Sequence, residues 1–319
     1  MTTAVFPAVT LPACEPGADP SEMAGAVAAW AVSPAMRALV AEFGHTAPFD
    51  GPVTELLDDL ERFSGRRWDY RNGLERQQAV GESFLPAADA LIRSAAASLG
   101  LAGRHSPPLR KYDHVLVLGG TVRTMVARAE LAARLLRDGA SVSSVVGLGS
   151  MRPLNASTDD IRDFGLRDGL TEGDAVDEGL RRAFGLSASP TIRDGVNAVE
   201  QPWWIRTYAA ASTPIHVLAA PSTDPGRRAN TADTLIGWAG LVEPAPRTSR
   251  LLLVTSDLFV PFQHCDAVRI LGLRFGCAVD TVGFDTGNSD LVAKPRAFQI
   301  LQEVRSAVRS MQALHRSLS

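Results

Sequence analysis

Two consecutive glycines stand directly after an apolar run. Val115-Leu116-Val117-Leu118 leads into Gly119-Gly120-Thr121-Val122-Arg123. A glycine pair lets the backbone turn sharply and approach a ligand closely. The helix that follows such a turn offers unpaired N–H groups at the positive end of its dipole. The chemistry suited to this arrangement is holding an anion, with Arg123 adding a fork of donors. A turn that only packs strand on helix is the alternative. The segment has neither the GxGxxG spacing of a dinucleotide site nor the GxxxxGK of a P-loop.

Other polar groups fall at the ends of other apolar runs. Gly149-Ser150-Met151-Arg152-Pro153 closes a second run, and Arg152 either faces the same crevice or stays a surface charge. Ser150 sits one position late for a GxSxG elbow and no glycine follows where one is needed, so a serine hydrolase is disfavoured. In Arg227-Arg228-Ala229-Asn230-Thr231-Ala232-Asp233-Thr234, Asn230 suits a helix N-cap. Capping accounts for one residue of that cluster; Arg228 and Thr231 carry donors an anion would use. Thr255-Ser256-Asp257 ends a further run and offers a hydroxyl and a carboxylate.

Four residues are candidate bases: Glu172, Asp174, Asp257 and His264. Glu172 and Asp174 open a helix, where the dipole alone favours acids; His264 is a lone histidine, a type that is more often structural than engaged in acid–base work. The six His form no HxxxH or HExxH pair, and Cys14, Cys265 and Cys277 share no ligand spacing, so no metal is expected.

These residues need a scaffold. The alternation of short β-branched runs (115–118, 142–147, 215–219, 250–255, 277–284) with helical stretches (122–137, 230–240, 262–275) predicts a Rossmann-like doubly wound, mainly parallel sheet in an α/β fold. A helical region over 21–104 precedes it, with Ser21 as first cap, Pro34 dividing the first segment, and helices over 53–63 and 77–99. Residues 1–20 form an irregular arm, 110–286 the Rossmann-like domain, and 288–319 a long C-terminal helix (290–318) packed on it. Trp203-Trp204 are expected between the sheet and the helical region. Ligands of open α/β sheets bind outside the carboxyl ends of the strands, which selects the same residues.

Composition narrows the partners. A net charge of −3 and 6% aromatic residues give no basis for nucleic acid. Leu11-Pro12-Ala13-Cys14 is like a lipoprotein box, but no Lys or Arg precedes it and Pro7 breaks the short stretch before it. No apolar run approaches the roughly 20 residues of a membrane span. Three cysteines without pairing logic fit a reducing compartment, so the expected location is cytoplasmic. An oligomer through the helical region is the one macromolecular contact this reading admits.

Three pieces carry a resemblance over about residues 112–285. Asp113-His114-Val115-Leu116-Val117-Leu118-Gly119-Gly120, the Asn230-Thr231 step before a helix, and Leu252-Leu253-Val254-Thr255-Ser256 together resemble the domain-of-unknown-function family that includes YdcF, SanA and ElyC. The resemblance implies a Rossmann-like fold and, from a soluble member, a nucleotide-type ligand such as S-adenosylmethionine. Where that family usually has His and Arg after Thr-Ser, this chain has Phe259 and Phe262, which implies a bulkier or less charged substrate.

The resulting expectation is an enzyme that binds a small molecule by a phosphate, sulfate or nucleotide group and displaces or eliminates that group. Gly119, Gly120, Thr121, Arg123, Arg152, Arg228, Asn230, Thr231 and Ser256 would hold it. No cofactor is required; S-adenosylmethionine is the one admitted. The alternatives are a binding module without catalysis and a partner-docking protein.

Overall fold

The structure is a computed structural model that describes residues 5–318 apart from 72, 74–77, 156–160, 168, 210–212, 245 and 247. The chain enters its first helix two residues earlier than expected. Asp19, not Ser21, is the N-cap of α1 (Pro20–Ala31), its carboxylate accepting from Ser21 N at 2.8 Å. Pro20 fits the first helical position, where a missing N–H costs nothing. Ser33 then caps α2 (Pro34–Glu42), accepting from Met36 N at 3.2 Å. Residues Pro20–Glu42 are by composition apolar enough to cross a membrane, contrary to expectation, but Ser33-Pro34 breaks them into two helices and half of the stretch is buried in the fold.

Helix α3 is Val53–Arg67 and α4 is Pro86–Ser98. The helix expected from residue 77 starts at Pro86; Gln77 lies outside the described residues, and 79–85 have no regular structure. The N-terminal arm, residues 5–19, contains no helix or named strand, yet it is tied down. Val9 N donates to Ser98 O at 2.8 Å, and Cys14 O accepts from Val279 N at 2.9 Å.

Seven strands follow: β1 (His114–Leu118), β2 (Ser144–Ser150), β3 (Thr191–Val196), β4 (Pro202–Tyr208), β5 (Ile215–Ala220), β6 (Arg250–Ser256) and β7 (Ala278–Phe284). They form one sheet in the order β3-β4-β5-β2-β1-β6-β7. The five strands β5, β2, β1, β6 and β7 are parallel, and β3 and β4 run antiparallel at one edge. The sheet is therefore mixed but mostly parallel. Strand order reverses between β1 and β6, and a doubly wound sheet leaves its crevice at that reversal.

Successive strand residues face opposite sides, so the central strands supply two cores. Val115, Val117, Val145, Leu252 and Val254 meet α5 (Val122–Arg137) and α6 (Glu172–Phe184) on one face. Leu116, Leu118, Val146, Leu251 and Leu253 meet the other layer, which holds α7 (Thr231–Gly237), α8 (Val260–Ala267), α10 (Ala297–Leu318) and the apolar faces of α1–α4. Helices α7 and α8 each continue through a π-helical turn, α8 into the short α9 (Leu273–Phe275). Helix α10 begins at Ala297 rather than 290, because Pro295 disfavours helical backbone at the residue before it.

The hairpin β3–β4 was not expected from the sequence. It puts Trp203 and Trp204 on opposite sides of an edge strand: Trp203 packs on the core shared with the N-terminal helices, Trp204 on the α5–α6 side. The two tryptophans therefore do not share one side of the sheet.

Candidate functional site

Four of the parallel strands, β1, β2, β6 and β7, deliver their carboxyl ends to one cavity of about 690 Å³, within the size range of small-molecule sites. Its floor is the turn after β1. A side chain at Gly119 would place its Cβ 2.7 Å from Leu148 O and 2.9 Å from Glu172 Oε1. Only glycine permits that approach, and it brings a carboxylate from the first turn of α6 against the end of β1. Glu172 gets there because Arg152 O accepts from Glu172 N at 2.8 Å, drawing the start of α6 back to the end of β2.

Around Glu172 the polar groups are ordered by charge. Ser150 Oγ donates to Glu172 Oε2 at 2.5 Å and accepts from Arg152 N at 3.2 Å. Arg152 Nη2 donates to Gly120 O at 3.4 Å. Arg128, on α5, folds back over the strand ends. Its Nη1 donates to Leu118 O at 2.8 Å and to Gly119 O, and its Nη2 to Ser256 Oγ at 3.2 Å. Its guanidinium also lies 5.6 Å from the centre of the Phe259 ring. Arg128 thus spans the ends of β1 and β6, at the reversal of strand order, with 1% of its surface exposed.

The opposite walls come from far along the chain. Arg228, Asn230 and Thr231 line one side, Phe259 and Phe262 another, and Gln299, Gln302 and Glu303 of α10 form a third with Arg71. Arg71 Nη2 donates to Glu303 Oε1 at 3.3 Å. Among the described residues the lining carries five arginines (Arg71, Arg123, Arg128, Arg152, Arg228) against two carboxylates, Glu172 and Glu303.

Ten of the residues singled out from the sequence line this cavity: Gly119, Gly120, Thr121, Arg123, Arg152, Glu172, Arg228, Asn230, Thr231 and Ser256. Some of them are also used structurally. Arg123 forms an ion pair with Asp163 and lies over the Phe164 ring at 5.6 Å. Asn230 accepts from Asp233 N at 3.2 Å as the cap of α7.

The other three bases lie elsewhere. Asp174 completes the capping box of α6 with Thr171 and accepts from Arg206 Nη2 at 2.8 Å, so its carboxylate is committed to the fold. His264 is buried; its Nε2 donates to Pro12 O at 2.7 Å and its Nδ1 accepts from Thr281 Oγ1 at 3.1 Å. Burial pulls its pKa down to about 4, and it holds the N-terminal arm rather than a ligand. Asp257 sits behind the cavity wall with Thr286 Oγ1 donating to it at 2.6 Å, and burial raises its pKa.

Sequence reasoning missed Arg128, Arg71 and α10. For Arg128 a signal existed: it stands at the helical phase of Met125, Leu131 and Ala132, an arginine inside an apolar stripe. For Arg71 and α10 there was none, since only the tertiary fold brings them to the strand ends.

Comparison with known proteins now applies to this geometry. A family model described as the Rv3785 N-terminal domain matches residues 14–100. Uncharacterized protein Rv3785 of Mycobacterium tuberculosis (strain H37Rv) is 33% identical over 322 residues, covering 90% of this chain and 88% of the relative. The chain belongs to the Rv3785 family. Uncharacterized protein Mb3814 of Mycobacterium bovis matches at the same identity and coverage. No solved structure matches.

These matches overturn the resemblance to YdcF, SanA and ElyC. Its carriers are generic: a buried parallel strand ending in glycine, a second such strand ending in Thr-Ser, and a capping box at Asn230 arise wherever a doubly wound sheet is built. What rested on that resemblance alone, an S-adenosylmethionine ligand and a meaning for Phe259 and Phe262 as replacements, has no other support.

Proposed function

We propose that the protein is an enzyme acting on a small molecule that it holds by an anionic group, a phosphate or sulfate ester or a nucleotide. The observation that carries this reading is the excess of arginine over carboxylate in one cavity at the strand-order reversal, floored by Gly119-Gly120. Arg152 and Arg228 would meet the anion from two walls, and Arg128 would back them from the floor. Charge developing on a departing oxyanion is best stabilised by donors already in place, which a buried, hydrogen-bonded guanidinium supplies. Glu172 would take a proton from the body of the same molecule, with the hydrogen bond from Ser150 orienting it. Elimination or displacement of the anionic group is the reaction class these two roles serve.

A partner-docking role for the helical region has less support. Met23, Val27, Trp30, Leu57 and Leu60 are turned into the core shared with α10 and the sheet, so these sides of α1 and α3 are already covered within the fold. The test is a thermal-shift series with phosphate, sulfate, nucleotides and S-adenosylmethionine, since a ligand specific for the native state raises its stability. A rise with one of the anions, reduced in Arg152→Ala and Arg228→Ala, is the expected result. Absence of any shift overturns the reading.

A further inference from the structure

Beside the cavity, at the ends of β6 and β7, three side chains converge that the proposed reaction does not use. His105 comes from the segment before β1, Asp257 directly follows β6 and Asp285 directly follows β7. One potential metal-binding atom from each lies within 4.8 Å of those of the other two.

Each is oriented by bonds from outside the group. His105 Nδ1 lies 2.9 Å from Gly283 O. A carbonyl only accepts, so Nδ1 carries the proton and the neutral ring keeps its lone pair on Nε2, as in histidines that bind metals. The segment is clamped from the other direction as well, Gly283 N donating to Arg104 O at 2.8 Å. A Cβ at Gly283 would fall 2.2 Å from Asp257 N, so glycine is what lets the two strand ends come this close. Asp285 accepts on Oδ1 from Gly287 N at 2.8 Å and on Oδ2 from Asn288 Nδ2 at 2.6 Å.

Asp257 supplies a second, separate observation. It is 3% exposed, and its hydrogen bonds, from Leu258 N at 2.7 Å and from Thr286 Oγ1 and N, all fall on Oδ1. Oδ2 takes none among the described residues. The carboxylates of Asp257 and Asp285 each bring an oxygen within 4.8 Å of the other, and two like charges this close repel unless a positive charge faces both. One imidazole cannot neutralise two carboxylates even when protonated; a divalent cation can.

We propose that His105, Asp257 and Asp285 bind one divalent transition-metal ion of the zinc or manganese type. One nitrogen and two carboxylate ligands suit these borderline ions better than magnesium or calcium, which take oxygen alone. Three protein ligands leave coordination positions open. Ser256, Leu258, Phe284 and Thr286, which flank the ligands in sequence, line the cavity, so the ion would sit at its β6–β7 end.

The test is titration of the chelator-treated full-length protein with Zn²⁺, Mn²⁺, Mg²⁺ and Ca²⁺ by calorimetry, with metal content measured after dialysis and Mn²⁺ also followed by its paramagnetic resonance signal. One Zn²⁺ or Mn²⁺ per chain is expected, with at least tenfold weaker binding in Asp285→Asn and in His105→Gln. Asp285→Asn keeps an acceptor for Gly287 N and so tests the ligand rather than the loop. A His45→Gln control, whose ring pairs with Asp59 far from this group, should bind as the parent does. No binding at millimolar metal, or unchanged binding in both ligand variants, overturns the proposal. So does loss of stability in His105→Gln without metal binding in the parent, which would make the group an ion pair. None of these outcomes depends on whether the cavity holds an anion.

Discussion

The Arg128 guanidinium donates to Ser256 Oγ at 3.2 Å while its other terminal nitrogen donates to Leu118 O at 2.8 Å. One side chain thereby ties together the two strands between which the sheet reverses its order. Replacing it leaves the strand-end carbonyls short of a donor in a buried place. Arg128→Met is expected to lower unfolding free energy by about 3 kcal/mol, since hydrogen bonds to charged groups contribute ~1.5–3 kcal/mol each and buried polar groups are left behind. Urea denaturation reads this directly; a loss under about 1 kcal/mol would mean the contacts are not made in solution.

The two glycines of the turn should respond differently. Gly119→Ala drives a methyl group into the Leu148 carbonyl at 2.7 Å, and backbone cannot easily yield. A loss of about 2 kcal/mol is expected, in the range of overpacked sites. At Gly120 the nearest atom is Thr124 Cγ2 at 3.3 Å, a contact that a shift of a few tenths of an ångström relieves, so Gly120→Ala should stay within about 1 kcal/mol of the parent. Equal losses in paired denaturation curves would count against the turn geometry.

Glu172→Gln separates binding from chemistry. The amide oxygen still accepts from Ser150, so the fold should hold within about 1 kcal/mol. Removing a negative charge from an arginine-lined cavity should tighten anion binding about fivefold, while turnover falls. Thermal shift against phosphate measures the first effect; weaker anion binding in the variant would remove Glu172 from the site.

Acid sensitivity should trace to His264. Its pKa in the folded chain is about 4, below the ordinary 6.5, because the ring is buried. The unfolded chain therefore takes up a proton that the folded chain refuses. The resulting stability is fully present above pH 6.5 and lost as pH falls toward 4, on the order of 3 kcal/mol in total. His264→Gln should be less stable at pH 7.5 and show a flatter loss across this window. An unchanged slope would place the acid sensitivity in other groups.

Much of this architecture could be read from the chain. The apolar runs ending in Gly119-Gly120, Gly149-Ser150 and Thr255-Ser256 are buried on both faces, and that burial leaves an uninterrupted pattern. Strand β3 has no such mark: Thr191, Ile192, Arg193 and Asp194 are all exposed, so no face of it selects apolar residues. Strand β4 interleaves tryptophans with Arg206 because its two faces meet different neighbours. At the site, local motifs pointed to the glycine turn and to Arg152 and Arg228. The candidate bases were harder to sort, because capping and catalysis use the same carboxylates: Asp174 and Glu172 stand two residues apart, yet only Glu172 faces the cavity.

Helix α10 has one consequence for how the site comes into being. Gln299, Gln302 and Glu303 wall a cavity whose floor was laid down some 180 residues earlier. During synthesis the glycine turn, Arg128 and Glu172 can be in place while that wall has yet to emerge from the ribosome. Any chain that lacks α10 would have the strand ends open to solvent, so the site needs this helix as much as it needs the sheet.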